Sequence, residues 1–145
     1  MMKPLVLLVD DEAPFVETMT KRLSKRDLKI ITAFSGEEAL ELLDKNRNTD
    51  VVILDVKMPG MNGIETLGKI RNQFPLMEVI MLTGHATIES AIDGMKLGAF
   101  DYLMKPCEIE QLMAKVQEAA QKKRNHEEKI REARVREALS VHGLE

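Results

Sequence analysis

The chain has 145 residues, of which 44% are hydrophobic and 31% are charged. This length and composition predict one globular domain with a core of its own, and they exclude a disordered chain. The net charge of −3 argues against direct nucleic-acid binding, because duplex-binding surfaces are usually strongly basic. The single cysteine, Cys107, excludes an intramolecular disulfide and suits a reducing compartment.

The first predicted element is a strand at residues 5–9, which Asp10 and Asp11 follow. Its few apolar residues are too short a run for a signal-peptide core or for a bilayer span. We therefore expect a cytoplasmic protein without membrane contact. A helix is predicted from about Glu12, because apolar residues recur at helical spacing from Phe15 onwards.

The next strands are predicted at residues 29–33 and 51–54, with an amphipathic helix after each. The run 51–54 is continuously apolar, which is typical of a strand covered on both faces in a parallel sheet. It ends at Asp55. Because the carboxyl ends of parallel strands are where such sheets bind ligands, Asp55 becomes the first candidate for a functional residue.

A fourth strand is predicted at residues 78–82 and ends at Thr83, and Thr87 is placed to cap the following helix. A fifth strand is predicted at residues 100–104, before Lys105. Strand and helix thus alternate five times. This alternation predicts an α/β fold in which right-handed crossovers place helices on both faces of a parallel sheet.

The last helix is predicted to begin near Glu108 and meets no Gly or Pro until Gly143. Its apolar face ends near residue 120, so we divide the chain into a domain at 4–120 and a charged helical extension at 121–145. A helix of this length spans about 50 Å, more than the domain diameter of about 35 Å, so it should project. Its poor heptad repeat predicts a weak coiled coil at best, and both a solvated tail and a dimerising or partner-binding helix stay open.

Five polar residues follow the predicted strands: Asp10, Asp11, Asp55, Thr83 and Lys105. In a parallel sheet they converge on one edge, where three carboxylates repel one another unless a proton or a cation intervenes. Mg²⁺ with oxygen ligands satisfies that requirement, while lysine and threonine supply a fixed positive charge and a hydroxyl donor. The set suits phosphoryl transfer onto a carboxylate, with Asp55 as the acceptor.

The same residues lie in motifs that resemble a known family, the receiver domain of two-component response regulators. The resemblance covers roughly residues 4–120 and rests on Val9-Asp10-Asp11-Glu12, Leu54-Asp55 with Met58-Pro59 and Gly63, Thr83-Gly84 and Tyr102-Leu103-Met104-Lys105-Pro106. It implies a flavodoxin-like, doubly wound sheet of five parallel strands in the order 2-1-3-4-5 with five helices. It also implies a cis bond between Lys105 and Pro106.

The resemblance further implies that Asp55 accepts a phosphoryl group from a sensor histidine kinase or a phosphotransfer protein. Asp11, Asp55 and the backbone carbonyl of Lys57 would bind Mg²⁺, with Asp10 acting partly through water and Mn²⁺ as a possible substitute. The chain would then be no enzyme, beyond self-phosphorylation from small donors and slow self-dephosphorylation.

Four further roles follow from the resemblance. Lys105 and Thr83 would bind the phosphoryl oxygens, and Thr83 and Tyr102 would form a conformational switch. The side chains of Lys57 and His85, two residues after Asp55 and Thr83, would tune the lifetime of the phosphoryl group. Plainer interpretations stay open, since Thr83 could simply end a strand and Tyr102 could be a static half-buried ring.

Two other classes of protein compete with this interpretation. A magnesium-dependent phosphohydrolase also uses an aspartate nucleophile, but the haloacid-dehalogenase pattern Asp-x-Asp-x-Thr is replaced here by Asp10-Asp11-Glu12-Ala13-Pro14. A non-phosphorylated dimerisation scaffold usually lacks an acidic or lysine position, and none is missing here. Similar receivers precede ATPase-type transcription activators, so the effector is expected either in trans or on a removed output domain, with a homodimer through the last helix as a further option.

Overall fold

The computed structural model describes residues 3–141 and contains one sheet of five parallel strands in the order β2-β1-β3-β4-β5. This order and the alternation of strand and helix confirm the predicted fold. In chain order the elements are β1 Leu5–Val9, α1 Ala13–Ser24, β2 Lys29–Ala33, α2 Gly36–Lys45, β3 Val51–Leu54, α3 Gly63–Gln73, β4 Glu78–Thr83, α4 Ile88–Lys96, β5 Asp101–Met104 and α5 Ile109–Val141.

The sheet has a hydrophobic core on each face, because successive strand side chains point to opposite sides. Leu8 and Ile53 belong to the cluster that α1 and α5 cover, whereas Leu7 and Leu54 belong to the cluster that α2 and α3 cover. All four residues of β3 are buried, as predicted for a strand with both faces covered. The central strand β3 therefore holds its two ends in fixed positions within the domain.

Two local predictions are also confirmed. The hydroxyl of Thr87 caps α4 by accepting a hydrogen bond from the amide of Ser90, at 3.0 Å. The bond between Lys105 and Pro106 is cis.

Helix α5 runs for 33 residues without interruption, which confirms the predicted long last helix. Its buried residues end at Lys123, and no residue from 124 to 141 is buried. The far half of α5 thus projects from the core, as expected. The burial of Lys123 was not predicted: its ammonium lies 3.1 Å from Oδ1 of Asp50, the residue that precedes β3.

Candidate functional site

The carboxyl-terminal edge of the sheet brings together three aspartates that are far apart in sequence. Asp10 and Asp11 follow β1, Asp55 follows β3, and each offers a carboxylate oxygen within 4.8 Å of the other two. Asp10 and Asp55 are buried, whereas Asp11 is exposed to solvent. The arrangement therefore forms an acidic pocket that is open on one side.

The two oxygens of Asp55 have different environments. Oδ1 accepts a hydrogen bond from the amide of Val56 at 2.8 Å, while Oδ2 is buried and has no hydrogen-bond partner. The amide of Gly63 closes the loop by donating to the carbonyl of Val56 at 2.7 Å. A Cβ at Gly63 would lie 1.9 Å from the carbonyl oxygen of Asp55, so only glycine fits against the backbone here.

Lys105 places its ammonium among these carboxylates. Its Nζ lies 2.6 Å from Oδ2 of Asp10, 3.6 Å from Oε1 of Glu12 and 4.0 Å from Oδ2 of Asp55. Burial lowers the pKa of Lys105, but the hydrogen bond that it donates to Asp10 and the charges of all three acids outweigh burial and raise this pKa. The lysine thus stays charged at neutral pH.

Asp10 shows the opposite balance although it is paired with Lys105. Burial raises the pKa of Asp10, and the charge of Asp55 raises it further. The hydrogen bonds from Lys105 and from the amide of Glu12 lower this pKa without compensating. Because an ion pair alone would lower the pKa of a carboxyl group, the net rise means that burial of Asp10 outweighs its pairing with Lys105.

Thr83 ends β4 beside this cluster and is fully buried. Its hydroxyl oxygen accepts a hydrogen bond from the amide of His85 at 3.0 Å, and its carbonyl accepts one from the amide of Lys105 at 2.8 Å. Thr83 therefore connects the end of β4 to the backbone that carries the lysine.

Tyr102 lies on β5 with its ring half-buried against the α2–α3 side of the core. Its hydroxyl is 2.6 Å from the hydroxyl of Ser90 on α4. Among the hydrogen bonds of residues 3–141, none joins Tyr102 to Thr83. The two predicted switch residues are thus separate in this conformation, and Tyr102 is tied to the first turn of α4.

The side chains of Lys57 and His85 are exposed and line a groove of about 510 Å³ beside the aspartates. The groove continues along Ile64 of α3 and Ser90 of α4. Both candidate tuning residues therefore lie on one open surface, next to the position of Asp55.

Three residues of this region were not predicted as parts of the site. Glu12 was seen only as part of a motif, and Phe15 had the spacing of a core residue. Ser90 had a recognisable signal, because it occupies the third helical position after the cap residue Thr87, where a side chain can return a hydrogen bond to the cap.

Comparison with known proteins agrees with this geometry. A family model described as the response regulator receiver domain matches residues 6–117. The DNA-binding transcriptional regulator NtrC of Escherichia coli K12 is 34% identical over 119 residues, which are 82% of this chain and 25% of that protein. The alginate biosynthesis regulatory protein AlgB of Pseudomonas aeruginosa is 37% identical over 107 residues, which are 74% of this chain and 24% of that protein.

Solved structures show the same likeness. A response regulator receiver domain protein from Clostridium thermocellum has a TM-score of 0.80 and is 36% identical, with 83% of this chain and 97% of that chain covered. The chain spans about a quarter of the length of the curated relatives it matches. Within residues 3–141, no helix combines the length and the apolar character that crossing a membrane requires.

Proposed function

The chain belongs to the response regulator receiver domain family of two-component signalling systems, and we propose that it is switched by phosphorylation of Asp55. The observation that carries this proposal is Oδ2 of Asp55, which is buried, has no hydrogen-bond partner and lies 4.0 Å from the Lys105 ammonium. Because this oxygen makes no hydrogen bond within the fold, we propose it as the atom that attacks phosphorus.

The proposed donor is the phosphohistidine of a sensor kinase or of a phosphotransfer protein. An oxygen of Asp55 forms a bond to phosphorus as the bond from phosphorus to the donor imidazole breaks, and the imidazole leaves with its electron pair. The product is an aspartyl phosphate. The covalent chemistry is simple, so the protein contributes mainly position and charge compensation.

The acidic pocket fits the Mg²⁺ that receiver domains bind. The donor set consists of three carboxylates that each offer an oxygen within 4.8 Å of the others, and Asp55 has an oxygen without a hydrogen-bond partner. We assign Asp11, Asp55 and the backbone carbonyl of Lys57 as ligands, with Asp10 acting partly through water and Mn²⁺ as a substitute. When bound, the ion neutralises charge on the phosphoryl oxygens and on the acids.

Lys105 and Thr83 are the proposed contacts to the phosphoryl oxygens. Lys105 is charged, half-buried and already beside Asp55. The oxygen of Thr83 accepts from the amide of His85, and within residues 3–141 its proton reaches no acceptor. That proton is therefore available to a phosphoryl oxygen if the hydroxyl moves towards Asp55.

Such a movement of Thr83 is proposed as the first half of the switch, and rotation of Tyr102 as the second. The hydrogen bond between the hydroxyls of Tyr102 and Ser90 links this rotation to α4. Exposed apolar side chains surround that region, with Ile88 82% and Met104 65% exposed. We infer that this surface of α4 and β5 is where an effector distinguishes the two states.

The other two groove residues have a more modest proposed role. The exposed side chains of Lys57 and His85 flank the route by which water would reach a phosphoryl group on Asp55. We propose that they set its lifetime. Under this assignment the chain carries a phosphoryl group reversibly on its own aspartate and turns over no separate substrate. This distinguishes it from a phosphohydrolase.

Intact-mass measurement tests the acceptor. With acetyl phosphate and Mg²⁺, the wild-type chain should gain one phosphoryl group, Asp55→Asn should gain none, and Asp44→Asn should behave as the wild type because Asp44 lies exposed on α2. Chelation of Mg²⁺ should prevent the adduct. An adduct that persists in Asp55→Asn would refute the assignment, and release of many phosphates per chain would favour the hydrolase.

A homodimer through the projecting half of α5 is a second proposal. It rests on apolar side chains without a core to cover them, since Val135 and Leu139 lie one turn apart and are 54% and 38% exposed. The downstream effector itself, whether in trans or on an output domain of a longer protein, is also a proposal, because this chain matches only about a quarter of the length of the curated relatives.

Sedimentation at high protein concentration tests the dimer. We expect the wild-type chain to associate weakly, with Val135→Glu plus Leu139→Glu shifting it to monomer because two charges enter the contact. Lys129→Glu is the control for added negative charge on α5. Equal monomer masses for the wild type and the double variant, with and without acetyl phosphate, would contradict the dimer and leave a solvated helix.

A further inference from the structure

The ammonium of Lys105 has a fourth neighbour besides the three carboxylates. Its Nζ lies 3.8 Å from the centroid of the Phe15 ring, within the range of a cation–π contact. The lysine side chain is only 14% exposed, so the ring meets a largely desolvated charge, which strengthens such contacts. The site is therefore bounded by one aromatic face as well as by acids.

The fold places this ring through the first turn of α1. Phe15 is the third residue of the helix and continues the ridge that Met19 and Leu23 form at intervals of four residues. Met19 and Leu23 are buried in the core. Phe15, at the amino-terminal end of this ridge, is half-buried and packs against the same cluster. The helix thus holds the ring rigidly at the border between the core and the acidic pocket.

The stem of Lys105 is fixed from another direction. A Cβ at Gly84 would lie 3.9 Å from Cδ of Lys105, so the lysine methylenes pass close to this backbone. The amide of Lys105 is bound to the carbonyl of Thr83 at 2.8 Å. With the backbone and the stem fixed at one end, the ring and Asp10 determine where the ammonium lies.

An aromatic face differs from a carboxylate in one respect that matters for phosphoryl transfer. An ammonium has three N–H donors, and every carboxylate that binds it occupies a donor. The ring attracts the charge through its quadrupole and leaves the donors free. In a pocket that already offers several acids to one lysine, a neutral attractor keeps the ammonium in place without competing for the incoming phosphoryl oxygen.

We propose that Phe15 is a positioning residue for phosphoryl transfer, which holds the Lys105 ammonium at the phosphoryl site through a cation–π contact. This inference rests on the proposed function, because it concerns the lysine that binds the phosphoryl group. The proposed role is indirect, because the contact of Phe15 is with the ammonium of Lys105.

The chain contains a matched control for this inference. Phe100 is also half-buried, packs against the same core cluster and has the ammonium of Lys122 5.7 Å from its ring centroid. Lys122 belongs to α5 and lies 3.7 Å from Glu78 at the start of β4, away from the acidic pocket. Phe100→Leu therefore removes a comparable ring from the core without touching Lys105.

The test compares Phe15→Leu, Phe15→Tyr and Phe100→Leu in the full chain. The rate of Asp55 phosphorylation by acetyl phosphate with Mg²⁺ should fall about three- to tenfold in Phe15→Leu, the loss expected for one cation–π contact. It should return towards the wild-type rate in Phe15→Tyr, which keeps the ring, and stay unchanged in Phe100→Leu. The NMR signals of the Lys105 εCH₂ group should show an upfield ring-current shift that only Phe15→Leu abolishes.

Two results would overturn the role of Phe15 and leave the proposed function intact. These are a wild-type rate in Phe15→Leu, or an equal loss of rate in Phe15→Leu and Phe100→Leu, which would indicate general loosening of the core. Absence of any adduct on the wild-type chain would refute the proposed function and, with it, this role. The ring-current shift is measured without phosphate, so it separates a wrong contact from a wrong function.

Discussion

The two aspartates that flank β3 occupy opposite electrostatic settings. Asp50 precedes the strand at the amino-terminal edge of the sheet, and Asp55 follows it at the carboxyl-terminal edge. Both are buried, at 2% and 1% exposure, and only four strand residues separate them. Since both carboxylates are equally buried, the difference between them must come from the groups around each one.

Asp50 is saturated with donors. Its Oδ1 accepts from Nζ of Lys123 at 3.1 Å and from Nε of Arg124 at 3.3 Å. Its Oδ2 accepts from the amide of Leu5 at 2.9 Å and from the second nitrogen of the Arg124 fork at 3.1 Å. Burial raises the pKa of Asp50, but Arg124, the Leu5 amide and Lys123 outweigh it and lower this pKa.

Asp55 instead keeps one oxygen without a donor and faces two other carboxylates. A saturated carboxylate fixes the middle of α5 to the sheet, whereas an unsaturated one leaves an oxygen without a partner and costs stability. Functional sites commonly carry such a cost, which the rest of the fold compensates. The amino-terminal edge thus provides rigidity, and the carboxyl-terminal edge holds the residues of the proposed phosphoryl transfer.

The same substitution at the two positions should have opposite effects, and Asp50→Asn should have the larger one. An asparagine there must turn its NH₂ group towards N–H donors, and it leaves the buried Lys123 with only the partly exposed Glu127, at 3.5 Å, as a carboxylate partner. We expect a loss of about 3–5 kcal/mol in the free energy of unfolding, the usual cost of breaking a buried ion pair. Urea denaturation monitored by circular dichroism measures it.

Asp44 supplies the control for this loss. It forms an ion pair with Arg47 on the surface, where its side chain is 65% exposed, so Asp44→Asn should cost no more than about 1 kcal/mol. A double-mutant cycle with Lys123→Met should recover part of the loss at Asp50, because the ammonium that lost its buried partner is then gone. Similar small losses in both Asp→Asn variants would show that the pairing of Asp50 contributes little.

The difference between the two edges also explains what the sequence could predict. Asp55 was found because a continuous apolar strand leads directly to it and because other strands end in residues of complementary chemistry. Asp50 carries no such signal, since an acidic residue before a strand looks like part of a solvated turn. Its partners lie 73 and 74 residues away, in a segment whose composition indicates only a charged helix.

The rest of the site shows the same limit. The order of the strands and the convergence of Asp10, Asp11, Asp55 and Lys105 follow from periodicity and from where parallel strands end. The contact of Phe15 with Lys105 does not follow, because an apolar residue at helical spacing is expected in the core whether or not a charge lies above it. Side-chain contacts between elements depend on packing that local patterns do not specify.

Asp55→Asn should change the free energy of unfolding by less than Asp50→Asn does, and in the opposite direction. In Asp55→Asn a neutral amide replaces the carboxylate, which removes one of the three clustered negative charges and gives up the weaker attraction to Lys105 at 4.0 Å. We expect the metal-free chain to gain about 0.5–2 kcal/mol in the free energy of unfolding, as is common when an unfavourable functional group is neutralised. Urea denaturation at neutral pH in the presence of a chelator measures this gain.

The pH dependence of that gain identifies its cause. The folded-state pKa of Asp10 is raised, by burial first and also by Asp55, so the folded chain binds a proton there more tightly than the unfolded chain does. Stability from this group is therefore lost as pH rises from the ordinary value of 3.8 through the raised pKa. Protonation of Asp10 relieves the same repulsion that Asp55→Asn removes. The advantage of the variant over the wild type should therefore be largest at neutral pH and shrink as pH falls towards 3.8, and an advantage independent of pH would locate its origin outside the acidic pocket.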